Sequence, residues 1–346
     1  MFALDELEIP IVQAPMGGGP STPELAAAVS EAGGLGFLAA GYKAPDAARE
    51  DIAALRALTG RPFGVNVFAP PGPEAVPGVV QEYARTLAGE LGTPRHDDDG
   101  WAEKLALVAA ERVPVVSFTF GCPSPREIAE LHDGGCAVWV TVTTAAEAVA
   151  AVEAGADALV VQGVEAGGHR GTWDDSQPGD LGLLALLQVV RPVARGAPLV
   201  ATGGIATGAA VAAVLAAGAA AAQIGTALML APEAATSPAH RDAIAAGDTP
   251  TALTRAFTGR TARGIVNDFM RAHEADAPSA YPDLHHLTQP MRAAARQRGD
   301  ARNFHLWAGQ AYALASAEPA GDFVRRLAAE AREALDDAAR RLGRAP

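Results

Sequence analysis

Cysteine is scarce in this chain of 346 residues. There are two, Cys122 and Cys136, with no CxxC spacing and no nearby histidine that would complete a zinc set. A disulfide scaffold and a structural zinc site are thereby excluded, and a reduced, cytoplasmic setting is expected. Positive charge is also in deficit: 27 Lys plus Arg stand against 40 Asp plus Glu, a net charge of −13. Long-range attraction to nucleic acid or to an anionic membrane surface is excluded by that balance, although a local pocket for one phosphate is not. No apolar run reaches the length of a membrane span, because Gly, Pro or a charge interrupts each one, and Met1 to Glu6 lacks the basic and apolar regions of a signal peptide. Aromatic residues are few, at 5 %. What fills their place is Ala, Val, Leu and Gly within an apolar share of 49 %, a composition suited to small-residue helices packed closely on a sheet.

Short apolar runs alternate with helical spacing along the first two thirds of the chain. Ile9 to Met16 ends in Gly17-Gly18-Gly19-Pro20, and Ser21 or Thr22 then caps a helix with Pro23 in its first turn. That helix stops at Gly33-Gly34, and Leu35 to Ala40 resumes a strand, which makes a unit of βαβ size. Further strands are expected at Phe63 to Phe68, Val113 to Phe118, Ala137 to Val142, from Ala158, at Pro198 to Ala201 and at Ala219 to Gly225. Helices are expected at Pro45 to Thr59, Pro73 to Leu91, Trp101 to Glu111, after Ser124, at Ala145 to Ala154, Asp180 to Arg195 and Gly208 to Ala217. Eight strands alternating with helices imply parallel pairing with right-handed crossovers, and eight is the number that closes a (β/α)8 TIM barrel; an open doubly wound sheet is the competing reading.

After Gly225 the pattern changes. Residues 232 to 310 hold helical pieces, an extended Thr254 to Asn267 and a loop-rich His273 to Pro290, too much for a simple connection. The division expected is a barrel with the cofactor site over 1–230, a mostly helical cap or substrate region over 231–315, and a C-terminal helix over 316–346 packing back on the barrel. The acidic run His96-Asp97-Asp98-Asp99-Gly100 reads as a solvated turn rather than a metal site.

The chemistry is expected in the loops that follow the strands, which share one face of such a barrel. The central one follows the strand that begins at Ala158: Gln162 leads to Gly167-Gly168-His169-Arg170-Gly171. Glycines there let the backbone lie flat against a planar ligand, and His169 can point into the space above it. Gly203-Gly204 and Gln223-Ile224-Gly225-Thr226, after the seventh and eighth strands, offer backbone N–H groups for a phosphate dianion.

Read together, PIVQAPMGGG (10–19), GGLGFLAAGY (33–42), NVF (66–68), SFTFGCP (117–123), QGVEAGGHRG (162–171), ATGGI (201–205) and AAQIGTA (221–227) resemble the nitronate monooxygenase family, the 2-nitropropane dioxygenase-like flavoproteins. LWAGQAY (306–312) is a weaker further match. The resemblance implies a barrel with non-covalently bound FMN that oxidises alkyl nitronates, and nitroalkanes as a further substrate class, with O2 to a carbonyl compound and nitrite, a detoxifying reaction. It places Ala14, Pro15 and Met16 against the flavin, Asn66 and Gln162 at its ring edge or ribityl chain, and Gly167, Gly168, Gly203, Gly204, Gln223, Ile224, Gly225 and Thr226 around ribityl and phosphate. His169 matches the catalytic histidine, as base or as anion stabiliser. The chain departs from the family in its tail, where Tyr312 is the only tyrosine after Tyr281 and no lysine follows Lys104.

Two other flavoenzymes remain as alternatives: an FMN-dependent enoyl-acyl carrier protein reductase, whose relatives carry an EAGGH-like loop, and an NAD(P)H:quinone reductase. A flavin-binding protein without turnover is the non-enzymatic alternative. A homodimer is the expected assembly, with no nucleic acid and no membrane partner.

Overall fold

The computed structural model describes residues 1–343, so the last three residues of the expected 316–346 segment lie outside the described residues. Eight parallel strands form one sheet: β1 (Ile11–Gln13), β2 (Gly36–Ala39), β3 (Phe63–Phe68), β4 (Val115–Thr119), β5 (Ala137–Val142), β6 (Ala158–Gln162), β8 (Leu199–Thr202) and β9 (Ala221–Ile224). The two-residue strand β7 (Gly168–His169) belongs elsewhere. Neighbours follow chain order round to β1, which pairs with β9, and a parallel bridge Val12–Leu35 joins β1 to β2. That seam has help from a side chain. Gln13 Oε1 accepts from the Phe37 N–H at 2.9 Å and Gln13 Nε2 donates to the Phe37 carbonyl at 3.0 Å, so a buried amide supplies the hydrogen bonds that the short ladder lacks. The sheet is a (β/α)8 barrel.

Alternation along each strand splits the apolar residues into two cores. Inward residues such as Val12, Phe37, Val115, Trp139, Val160 and Val200 fill the barrel interior. Trp139 packs against Phe37 at 5.7 Å, and Phe2 covers it from the N-terminal end at 6.5 Å. Outward residues of the same strands, Val138, Val140, Leu159 and Val161 among them, pack against the outer helices. These are α1 (Pro23–Glu31), α2 (Pro45–Leu58), α4 (Trp101–Ala110), α5 (Pro125–Asp133), α6 (Ala145–Ala154), α7 (Leu183–Val190) and α8 (Gly208–Ala216). The long helix α12 (Ala320–Arg341) lies against both α8 and α1, after the last barrel strand. Its Glu330 carboxylate accepts from the Gly208 N–H at 3.0 Å, where a Cβ on residue 208 would stand 2.2 Å from Glu330 Cβ.

Several boundaries differ from the sequence reading for local reasons. Thr22 is the cap of α1, accepting from the Leu25 N–H at 3.0 Å, while Ser21 turns inward to accept from the Met16 N–H and from Gln13. The helix expected over Pro73 to Leu91 contracts to α3 (Val79–Ala84), because Pro73, Pro77 and a left-handed Gly78 at φ +94 exclude an earlier start. Conversely, much of the segment expected to be loop-rich is α11 (Asp283–Gln297), which runs through Pro290. The Gly92 N–H donates to the Leu287 carbonyl beside that proline at 2.8 Å, bracing the helix where its own ladder is interrupted. The extended Thr254 to Asn267 is a hairpin instead: β10 (Thr251–Thr254) and β11 (Ala262–Ile265) pair antiparallel, and β11 also pairs with β7. Two further helices, α9 (Pro238–Ala246) and α10 (Asp268–His273), complete this region.

The acidic run is not a solvated turn. Lys104, 1 % exposed, pairs with Asp99 at 2.7 Å, Asp99 accepts from the Tyr42 N–H, and His96 and Asp97 pair with Asp283 and His286 of α11. Among the described residues there is no cluster of His, Cys, Asp and Glu able to hold a metal, and no helix long and apolar enough to cross a membrane.

Candidate active site

A cavity of about 850 Å³ opens at the C-terminal ends of the barrel strands. Every strand contributes to its wall, through Ala14, Tyr42, Asn66, Thr119, Thr141, Gln162, Thr202 and Gln223 or the residues that follow them. All the residues expected from the sequence to meet the cofactor line it except Ile224, which is 1 % exposed and faces the helices. Gly203 and Gly204 take φ values of +120 and +69, and a Cβ on either would stand 3.2 Å from Ala166 N or 3.0 Å from Glu165 Cβ. Only glycine makes that turn at low cost. The N–H groups of Gly204, Gly225 and Thr226 have no backbone or side-chain acceptor among the described residues, and the N-terminus of α8 lies just beyond.

Gly167, which also lines the cavity, is packed closely on its other side. A Cβ there would stand 2.4 Å from Gly309 N, so glycine allows close contact with the LWAGQAY segment, whose Gly309 N–H donates to Thr226 Oγ1 at 3.1 Å. Gln162 is equally committed: Oε1 accepts from the Gly171 N–H at 2.8 Å, and Nε2 donates to the His169 carbonyl at 3.1 Å. Its amide braces the histidine loop. Asn66 donates through Nδ2 to Ser117 and Thr119, which leaves Oδ1 without a protein partner, and the buried Gln223 amide has none at either atom among the described residues.

His169 is held twice over. Its backbone pairs with Ala262 in the three-stranded sheet β10-β11-β7, and its ring nitrogen Nε2 lies 2.9 Å from Thr258 Oγ1. Thr258 Oγ1 also lies 3.3 Å from the Arg260 carbonyl, so the hydroxyl bridges the imidazole and that carbonyl and leaves Nδ1 as the ring nitrogen it does not engage. Phe120, Tyr281 and Trp307 surround the ring at 5.4 to 6.0 Å. Burial, with Arg260 and Arg292 adding like-charge repulsion, pushes the imidazole down to about 3, so it is neutral across the physiological range.

Residues 1–330 match the nitronate monooxygenase family. The chain belongs to that family. It is 39 % identical to the nitronate monooxygenase of Paraburkholderia phytofirmans, across 95 % of this chain and 94 % of that one. The nitroalkane oxidase of Streptomyces ansochromogenes superposes with a TM-score of 0.93 at 53 % identity, covering 97 % of this chain and 99 % of that chain. FabK from Thermotoga maritima is more distant, with a TM-score of 0.75 at 27 % identity over 98 % and 96 % of the two chains. As a nitronate monooxygenase family member the chain is an oxidoreductase.

For a family of flavoenzymes the fit of the cavity to a flavin is the next question, and the residues present suit one. The partnerless N–H groups at Gly204, Gly225 and Thr226 supply a phosphate cradle without a cationic side chain, and the free acceptor of Asn66 and the amide of Gln223 suit the polar edge and chain of the cofactor.

The opposite wall was not visible in the sequence. Helix α11 brings His285, Gln289, Arg292 and Arg296 to the cavity, and His305 and Trp307 arrive from the segment after it. His285 stacks on Tyr42 at 4.1 Å and His305 on Trp307 at 5.0 Å. The spacing of four from Thr288 through Arg292 to Arg296 marks one helical face and was available as a signal, but Pro290 concealed the helix.

The buried imidazoles make a testable contribution to stability. Desolvation lowers His169 to about 3 and His240 to about 4, and holds His285 and His305 well below the usual histidine value. Because the folded values lie below the unfolded one, near 6.5, the stabilisation is complete above that pH and is lost as pH falls through it, when the unfolded chain takes up protons that the folded chain refuses. Melting temperature is therefore expected to fall steadily between about pH 6.5 and pH 5, above the range in which most carboxylates titrate. A flat melting temperature across that window would contradict the burial of neutral imidazoles.

Proposed function

We propose that this chain binds FMN non-covalently and oxidises alkyl nitronates with O2 to a carbonyl compound and nitrite, with neutral nitroalkanes as slower substrates. The observation that carries the reading is the pairing, in one cavity, of a glycine turn with unpartnered N–H groups and a buried neutral imidazole held by Thr258. Similarity to a nitronate monooxygenase and a nitroalkane oxidase over nearly the whole chain supports it.

The flavin, when bound, accepts the electrons that leave the substrate carbon. Everything else is asked of the chain. Gly203, Gly204, Gly225 and Thr226 hold the phosphate through backbone N–H groups; Ala14, Pro15 and Met16 form the wall behind the ring; Asn66 and Gln223 offer the polar contacts. Gln162 and Gly168 shape the loop that carries His169, and Gly167 fixes that loop against residues 308–309. His169 Nδ1, the ring nitrogen that Thr258 leaves free, takes the α-proton of a neutral nitroalkane in the tautomer whose Nε2–H donates to Thr258. A base pushed down to about 3 is poorly matched to abstraction from carbon at neutral pH. Nitronate, which has already lost the proton, does not need that step.

A second reading, NAD(P)H-dependent reduction, draws on the EAGGH-like loop and on the likeness to FabK. The cationic wall at Arg292 and Arg296 suits a small anion better than an acyl chain. Aerobic turnover of a primary nitronate tests the choice: nitrite and aldehyde are expected in equal amounts with O2 consumed, and nitrite without O2 uptake would overturn the proposed reaction. A homodimer in the cytoplasm is the proposed state of the enzyme.

A further inference from the structure

Arg292 is 5 % exposed, and no carboxylate lies within 4 Å of it among the described residues. A cation taken out of water without a counter-ion is costly, so its retention on a cavity wall calls for a reason. Its surroundings hold it rigidly: Nε donates to Thr288 Oγ1 at 2.9 Å, Nη2 to the His285 carbonyl at 2.8 Å, and Nη1 lies 3.1 Å from His305 Nδ1. A guanidinium has five N–H groups, so donors remain.

The contact with His305 is itself short of acceptors. Its other nitrogen, Nε2, faces Arg296 Nη2 at 2.9 Å. A neutral imidazole has a single ring lone pair, so it accepts from one of the two arginines and presents an N–H to the other. One guanidinium N–H next to the cavity is therefore left without an acceptor. Arg260, also buried and with no carboxylate within 4 Å among the described residues, adds a further positive charge beside Phe120, over whose ring it sits at 4.0 Å. Of the carboxylates that line the cavity, Asp99 pairs with Lys104 and Asp97 with Arg95 and His286, while Asp98 accepts from the Gly100 N–H; none of them pairs with Arg292.

We propose that Arg292, aided by Arg296, is the anion receptor of the cavity, that it binds the oxyanion end of a small planar substrate, and that it gives the site its preference for nitronate over neutral nitroalkane. The preference rests on the proposed oxidation; the receptor itself does not. His169 and Arg292 thus have separate duties, the first toward a proton and the second toward the charge.

Nitrate, a planar oxyanion that cannot be oxidised further, is the probe. Its dissociation constant is measured by calorimetry on the flavin-loaded wild type and on Arg292→Gln and Arg292→Lys, with flavin content and melting temperature determined for each. Loss of a charge-assisted pair is expected to weaken nitrate roughly 10- to 100-fold in Arg292→Gln, and less in Arg292→Lys, which keeps the charge but not the fork. In the same variants KM for a nitronate rises by a similar factor while KM for the neutral nitroalkane stays near wild type, a contrast that general damage to the fold would not produce. Nitrate affinity unchanged in a folded Arg292→Gln, or in Arg292→Lys should the first not fold, overturns the receptor, as does a wild type that binds no nitrate. Nitrate binding that depends on Arg292 in a protein that does not oxidise nitronates would leave the receptor standing and refute the proposed reaction alone.

Discussion

His169→Asn is expected to slow oxidation of a neutral nitroalkane by roughly 10²–10⁴-fold, the usual contribution of a positioned general base, with FMN still bound. Preformed nitronate should lose far less, because it needs no proton removed. The distinction follows from the ring's surroundings rather than from its presence alone. An imidazole pushed down to about 3 by burial carries no positive charge at neutral pH, so its loss cannot remove charge stabilisation from the nitronate. The same value sets the sign of the pH profile: the base form prevails above it, so the wild-type rate with nitroalkane should show no histidine-like fall between about pH 8 and pH 5. Single-turnover rates with both substrates decide the matter. Equal losses for the two would make His169 an anion binder, and no loss for either would remove it from the chemistry.

Gly204→Val is the second large effect. At φ +69 a β-branched residue is strained, and its Cβ would stand 3.0 Å from Glu165 Cβ, on the loop that carries His169. Glu165 cannot retreat easily, since its carboxylate accepts from the Leu183 N–H at 2.9 Å and its carbonyl from Gln310. The variant is expected to purify with most of its FMN missing and to regain little on reconstitution, while far-ultraviolet circular dichroism remains that of the barrel. Stoichiometric yellow protein would show that the turn after β8 does not hold the phosphate.

The barrel was legible because each strand is a short apolar run stopped by glycine or proline, and because threonine and serine caps such as Thr22, Ser124 and Thr144 announce the helices. His169 was legible for a local reason as well, standing after two glycines at the end of a strand. What escaped depends on distant parts of the chain. Thr258, which pairs with the His169 ring, lies 89 residues away and reaches it only because β11 pairs with β7. Arg292 and His285 sit on a helix that Pro290 made look like loop. The close approach of Gly309 to Gly167 and the burial of Lys104 beside the acidic run were hidden for the same reason, because a sequence shows which residues are small or charged but not what stands opposite them.

Electron transfer from a nitronate to FMN in this cavity is open to a direct test by anaerobic mixing. Purified protein is combined without O2 with a primary alkyl nitronate, with NADH and with NADPH in separate reactions, and the yellow absorbance of the flavin is followed. Nitronate is expected to bleach the flavin within the time of one turnover, neither pyridine nucleotide to do so at a comparable rate, and admitted O2 to restore the colour. Rapid bleaching by NADH or NADPH with no response to nitronate would contradict that transfer.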